Sequence, residues 1–158
     1  MFEVSPYGPL NRGNSPVPLT FLGRYSHEAC AVEPFTSRIY LTEDAGDPNG
    51  LLYRWTPPRG FLGGPWRLKH LAETVGPKAG SLQAMSCRSG STHIRDMSEA
   101  TEPGTRYSVS WVDVPDRLAA TTSTRKQLAD AKITRSHKFE GAWWADGGVS
   151  VSYTHLRA

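Results

Sequence analysis

Short runs of β-forming residues recur along this chain about every ten residues, and each is cut off by Pro, Gly, Asn or Asp. Ile39-Tyr40-Leu41-Thr42 and Leu51-Leu52-Tyr53-Arg54-Trp55 flank the turn signal Asp47-Pro48-Asn49-Gly50, and the second run stops at Pro57-Pro58. A β-rich stretch from Phe21 to Val32 ends at Pro34, so it and the Ile39 run read as a hairpin. From Arg106 to Val112, Tyr107, Val109 and Trp111 alternate with polar residues, the period of a strand with one buried face. Phe139 to Trp144 leads through Asp146-Gly147-Gly148 into Val149-Ser150-Val151, a second hairpin. Runs this short bury a face only by pairing with neighbours. The rhythm therefore points to a mainly β chain: a sandwich, a barrel or blades of a propeller.

Residues 59–100 break the rhythm. Leu68, Leu71 and Ala72 within Trp66 to Glu73 have helical spacing and predict a short helix. Ser81 to Met85 fits helix or strand, and Ser89 to Asp96 reads as polar loop. The region is expected to be a loop and short-helix insertion in the β scaffold. Another short helix is predicted over Arg125 to Ala131, capped from Thr121 to Thr124, and Pro6 to Pro18 is expected to be loop.

Composition narrows the function classes. An apolar share of 38% over 158 residues is enough for one packed domain and too high for wholesale disorder. No apolar run approaches the roughly 18 residues of a membrane-spanning helix. The net charge is +3, and Arg24, Arg38, Arg54, Arg88, Arg106 and Arg135 are scattered, which suits solvated surface rather than a nucleic-acid footprint. Cys30 and Cys87 form no zinc pattern. Cys30 lies in an apolar stretch and reads as a buried thiol, and a disulfide between the two stays open. GxSxG, HExxH and Walker A motifs are absent. Met1 to Val4 resembles mid-strand and not a leader, so the expectation is either a cytoplasmic protein or a natural start further upstream.

The carboxylates carry the functional reading. Glu28-Ala29-Cys30 and Glu140-Gly141-Ala142 echo each other: Glu, small residues, then bulky apolar ones, each leading through a turn into a β run. By the period of two, Glu28 shares a face with Cys30 and Val32, and Glu140 with Ala142 and Trp144, so both are expected to point into apolar surroundings. A buried carboxylate must be protonated, paired with Arg or Lys, or bound to a metal. Equivalent strand starts of two propeller blades converge on one channel, where two such Glu residues would share a hard cation. Glu43 and Asp44 at a strand end are further oxygen donors. Turn chemistry accounts for Asp47 and Asn49, and His27 reads as structural or as a ligand. Lys138 either approaches an anionic substrate or pairs with Glu28.

Gly23-Arg24-Tyr25-Ser26-His27-Glu28-Ala29, Ile39 to Asp44, Asn49 to Trp55, Ser98 to Thr105 and Lys138 to Trp144, in that order, resemble the PhoX family of alkaline phosphatases, above all its actinobacterial members. The resemblance covers about residues 1–150. It implies a β-propeller, of which residues 1–151 would be a few blades with the 59–100 insertion. It also implies a calcium and iron cofactor cluster, hydrolysis of a phosphate ester, and twin-arginine export of a monomeric parent to the periplasm or exterior. Glu28 and Glu140 would be metal ligands, with Glu43 and Asp44 near the calcium ions. The family's iron-binding Cys-Glu motif has no counterpart here. Lys138 stands where the family often has Arg, and ligands expected further downstream are missing. Residues 152–158 read as a non-native tail. The isolated stretch is accordingly expected to have little phosphatase activity, and a non-catalytic propeller serving as a binding module is the rival reading.

Overall fold

The computed structural model of the protein describes residues 1–5, 15–100 and 102–153. Four strands follow one another as an antiparallel meander: β1 (His27–Val32), β2 (Ile39–Glu43), β3 (Gly50–Thr56) and β4 (Ser81–Ser89). Two strands then return to β4. β5 (Thr92–Ile94) shares its β3-facing edge through Cys87 to Ser89, and β6 (Ser108–Asp113) lines the opposite edge from Gln83 to Arg88. The short β7 (Arg135–Ser136) pairs with Gly50 and Leu51 of β3, completing a seven-stranded sheet. β8 (Phe139–Ala145) and β9 (Gly148–Tyr153) form a separate hairpin. Ala145 pairs with Gly148 across Asp146 and Gly147, whose φ values of 51° and 77° match the positive-φ turn that suits hairpin twist.

Strand alternation sorts the core into two layers. Ile39 and Leu41 of β2, Leu51, Tyr53 and Trp55 of β3, and Leu82 and Ala84 of β4 occupy the first face. Leu19, Phe21, Leu22, Ala79, Ile133 and Leu71 cover them, the last carried by the α-helix α1 (Arg67–Thr74). Trp55 packs 4.9 Å from the Phe21 ring, and its indole N–H donates to the Ala79 carbonyl at 3.0 Å. Each of these fully buried large side chains contributes on the order of 2–3 kcal/mol. On the second face, Leu52, Met85, Cys87 and Ile94 meet Phe139 of the β8–β9 hairpin. Tyr40 lies between Trp111 and Trp144, at ring separations of 5.9 and 6.1 Å, and so ties the hairpin to the sheet.

The mainly β character and both hairpins match the sequence rhythm, as does a short helix starting one residue after Trp66. Other expectations change. The insertion ends at Gly80, because Ser81 to Ser89 is a strand with partners on both edges and its apolar residues divide between the two faces. Part of the supposed polar loop is β5, joined to β4 by a two-residue turn at Gly90 (φ 58°). The predicted helix after Thr124 is only a 3-10 turn, Thr124–Lys126, whose N-cap Ser123 makes no side-chain capping bond, and the buried Thr124 hydroxyl donates to the Arg24 carbonyl. No closed ring of blades is present among the described residues. Arg135 is 8% exposed rather than solvated: it donates to Asp130, to the Asn49 carbonyl and to the Arg125 carbonyl. Arg117, unremarked in the sequence, similarly ties the carbonyls of Phe21, Ala79 and Gly80. Cys30 is an exposed free thiol on the edge strand, and Cys87 is a free thiol in the second layer, so the two form no disulfide. The expected tail begins inside β9, which runs to Tyr153, and its residues 154–158 lie outside the described residues, as does 6–14 of the expected N-terminal loop.

Gly50 is fixed by space: a Cβ there would run into the Glu43 carbonyl, whereas one at Gly46 would meet nothing within 4 Å. Gly50→Ala should therefore lower the unfolding free energy by about 2 kcal/mol or more, while Gly46→Ala stays within about 0.5 kcal/mol of the parent, as read by urea denaturation.

Candidate functional site

Three chain segments meet at one end of the sheet: the start of β1, the end of β2 and the start of β8. His27 pairs with Glu43 across the first two strands, and the Asp44 N–H donates to the Ser26 carbonyl at 3.0 Å. The hairpin arrives from the second face. Thr42, Glu43 and Asp44 are consecutive, so their side chains leave on alternating sides. Thr42 and Asp44 reach toward β8, and Glu43 turns into the first layer.

Both echoing Glu residues sit in β-bulges. The β1–β2 register slips between His27 and Cys30, and the β8–β9 register slips between Phe139 and Ala142. Glu28 and Glu140 are each the first residue inside the slip. A bulge inserts an extra residue, leaves backbone groups unpaired and re-aims a side chain. The Thr42 hydroxyl takes up one such group from each bulge: it accepts from the Ala29 N–H at 2.9 Å and donates to the Glu140 carbonyl at 2.9 Å. Thr42 has no exposed surface, and buried hydroxyls need such partners. Glu28 and Glu140 thus belong to two backbone segments bound to one oxygen.

The expectation that both carboxylates are sheathed in apolar residues is corrected. Glu140 does share its inward face with Ala142 and Trp144, and it is half-buried. Glu28 does alternate with Cys30 and Val32, but that set is exposed, because β1 is an edge strand and Ala31 is its buried residue. The fully buried carboxylate is Glu43. Its Oε2 accepts from the Tyr53 hydroxyl at 2.9 Å and the Leu51 N–H at 3.3 Å, and its Oε1 pairs with Arg125 Nη1 at 3.3 Å. Burial pushes its pKa upward against these three partners. The Tyr25 ring stacks 4.2 Å from Tyr53 and 3.9 Å from His27, and burial beside Glu43 holds the Tyr25 hydroxyl well above the usual phenol range. His27 Nε2 bonds the Gly23 carbonyl at 3.0 Å, its Nδ1 is buried without a hydrogen-bond partner, and burial lowers its pKa.

Asp44 and Lys138 form an ion pair, Nζ to Oδ2 3.3 Å, with both side chains about one-third exposed or more (32% and 40%). The partner of Lys138 is therefore Asp44, not Glu28. Lys138 occupies the left-handed region (φ 47°), which a non-glycine residue adopts at some cost, at the turn from β7 into β8. The other oxygen of Asp44, Oδ1, is buried with no hydrogen-bond partner. Four of the five candidate residues, Glu28, Asp44, Lys138 and Glu140, are thus carried by this strand-end junction, while Glu43 is committed to the core beneath it.

The candidates are carboxylates, the donor type that hard cations take, and Asp44 Oδ1 is buried without a hydrogen-bond partner while Oδ2 is paired with Lys138. The set is partial, since among the described residues no three His, Cys, Asp or Glu side chains gather closely enough to hold a metal. Neither thiol adds a soft ligand for iron, Cys30 being two residues from Glu28 on the outer strand and Cys87 lying in the core. Sequence reasoning missed Thr42 and Arg125. Thr42 is legible only as an uncharged residue in a β run, and Arg125 lies 82 positions from Glu43.

A family model described as alkaline phosphatase PhoX matches residues 1–157. No curated protein and no solved structure matches the chain.

Because burial opposes the charge on Glu43, its neutral isostere is tolerated better than its deletion. Glu43→Ala leaves Tyr53, Leu51 and Arg125 without their partner and should cost about 3 kcal/mol, whereas Glu43→Gln should stay within about 1 kcal/mol at pH 7. The raised pKa means that the folded state holds a proton the unfolded chain releases near 4.5, so this contribution to stability is full below 4.5 and is lost as pH rises through the folded value. Denaturation across that window should show the decline in the parent and not in Glu43→Gln.

Proposed function

The chain belongs to the PhoX family of alkaline phosphatases, and from that membership we propose that it forms part of a metal-dependent phosphoric ester hydrolase whose cation site begins at Glu28 and Glu140. The observation that carries the reading is the pair of matched bulges, each opening on a Glu, drawn together by one buried hydroxyl. Carboxylates at re-aimed strand positions suit calcium. Iron belongs to the same proposal through the family, with ligands beyond those described here.

When bound, such ions supply Lewis-acid stabilisation of charge on a phosphoryl group. This chain's own residues do the rest. Glu28 and Glu140 would be the residues on β1 and β8 that hold the cation. Lys138 keeps Asp44 in place, and its 40% exposed ammonium offers a positive charge to the oxygens of an incoming phosphate ester. Glu43, Tyr53 and Arg125 fix the end of β2, from which Thr42 and Asp44 project. In this reading Glu43 supports the site from beneath and is not itself a ligand.

The antiparallel meander β1 to β4 is the unit that a propeller repeats, and the outer edges of β1 and of the β8–β9 hairpin pair with no further strand among the described residues. Both features support a reading of the chain as consecutive strands of a propeller.

In a protein carrying this stretch within a complete site, Glu28→Gln and Glu140→Gln should each lower turnover of a chromogenic phosphate ester by about 10²-fold or more, and Lys138→Met by about tenfold. The 158-residue chain by itself, given Ca²⁺ and iron, should show little or no turnover, and full activity would refute the partial-site reading.

A further inference from the structure

We propose that the cavity beside the start of β1 binds a small aromatic carboxylate, its ring against Tyr25 and His27 and its charge on Arg24. The inference goes beyond the cation reading and does not rest on it.

The cavity measures about 420 Å³, within the range of small-molecule sites. Pro18, Leu19 and Leu118 give it apolar sides, and Tyr25 and His27 give it an aromatic wall. That wall is built in advance. Tyr25 stacks on both Tyr53 and His27, and His27 is tied by its Nε2 to the Gly23 carbonyl at 3.0 Å. Gly23 makes the close approach possible: its φ is 96°, and a Cβ there would stand 2.6 Å from the Tyr25 ring. A wall already in place spares a ligand the entropy of ordering it.

Charge selects the ligand. Arg24 lines the cavity, and no Asp or Glu does. Its side chain is exposed and makes no hydrogen bond or ion pair among the described residues. The wall adds no negative charge, because burial keeps the Tyr25 phenol protonated. It adds no second cation either: His27 holds its proton on Nε2, facing the Gly23 carbonyl, and burial favours the neutral ring. A planar carboxylate suits one planar guanidinium, which can meet it with two parallel hydrogen bonds. A doubly charged phosphate would be left with charge that a single guanidinium does not neutralise. A flat ring in turn suits an aromatic wall, where offset stacking adds to simple burial.

The test is an NMR titration of the full chain with benzoate, followed through the backbone amides. Saturable shifts should centre on Arg24, Tyr25, His27 and Leu118. Benzamide, which keeps the shape and loses the charge, should bind about tenfold more weakly, and so should acetate, which keeps the charge and loses the ring. Arg24→Met should remove the preference for benzoate over benzamide, and Leu118→Trp should fill the cavity and abolish saturation. Absence of saturable shifts in the parent, or shifts confined to other residues, overturns the inference. Equal affinity for benzamide or acetate, an undiminished preference in Arg24→Met, undiminished binding in Leu118→Trp, or tighter binding of phenyl phosphate than of benzoate does so too. The benzamide, acetate and phenyl phosphate arms change no residue, so they decide the matter if a variant fails to fold.

Discussion

A single buried hydroxyl carries the junction on which the rest of the structure depends. The seven-stranded sheet and the β8–β9 hairpin are separate hydrogen-bonded units, joined by apolar contact and by the two residues between β7 and β8. The Thr42 hydroxyl pins them at the point where both strands are already irregular. The Lys138–Asp44 ion pair adds a second, more exposed tie beside it. Exposed ion pairs contribute little, so the hydroxyl, which is fully buried and doubly bonded, dominates the geometry.

Three consecutive residues divide the work at the end of β2 by strand parity. Thr42 and Asp44 face the hairpin and the candidate cation site, while Glu43 faces the first layer and anchors the strand to Tyr53, Leu51 and Arg125. The closeness of Gly50 to the Glu43 backbone keeps β3 tight against this end. A carboxylate that is expensive to bury is thereby used as support beneath the strand-end junction.

Much of this was legible in the residues. Turn signals at Asp47 to Gly50 and at Asp146-Gly147 located two strand connections, because positive-φ and rigid-φ residues leave few alternatives. The echo of Glu28-Ala29 with Glu140-Gly141 marked two positions that proved to be equivalent bulges, although the period of two by itself speaks only of regular strands. The same rule misjudged which face is buried on β1, since burial of an edge strand depends on what covers it and not on its own pattern. β4 went unread because Ser81 to Ser89 feeds both core layers, so its apolar residues lose the clean alternation of a half-exposed strand. Arg117, Arg125 and Arg135 act through contacts with residues distant in sequence, which no local pattern encodes.

The most direct measurement is the anomalous scattering from a crystal of the chain soaked with terbium(III). The account predicts a peak at the Glu28 and Glu140 carboxylates. Ordered ions found only elsewhere on the surface, with both side chains unliganded, would contradict it.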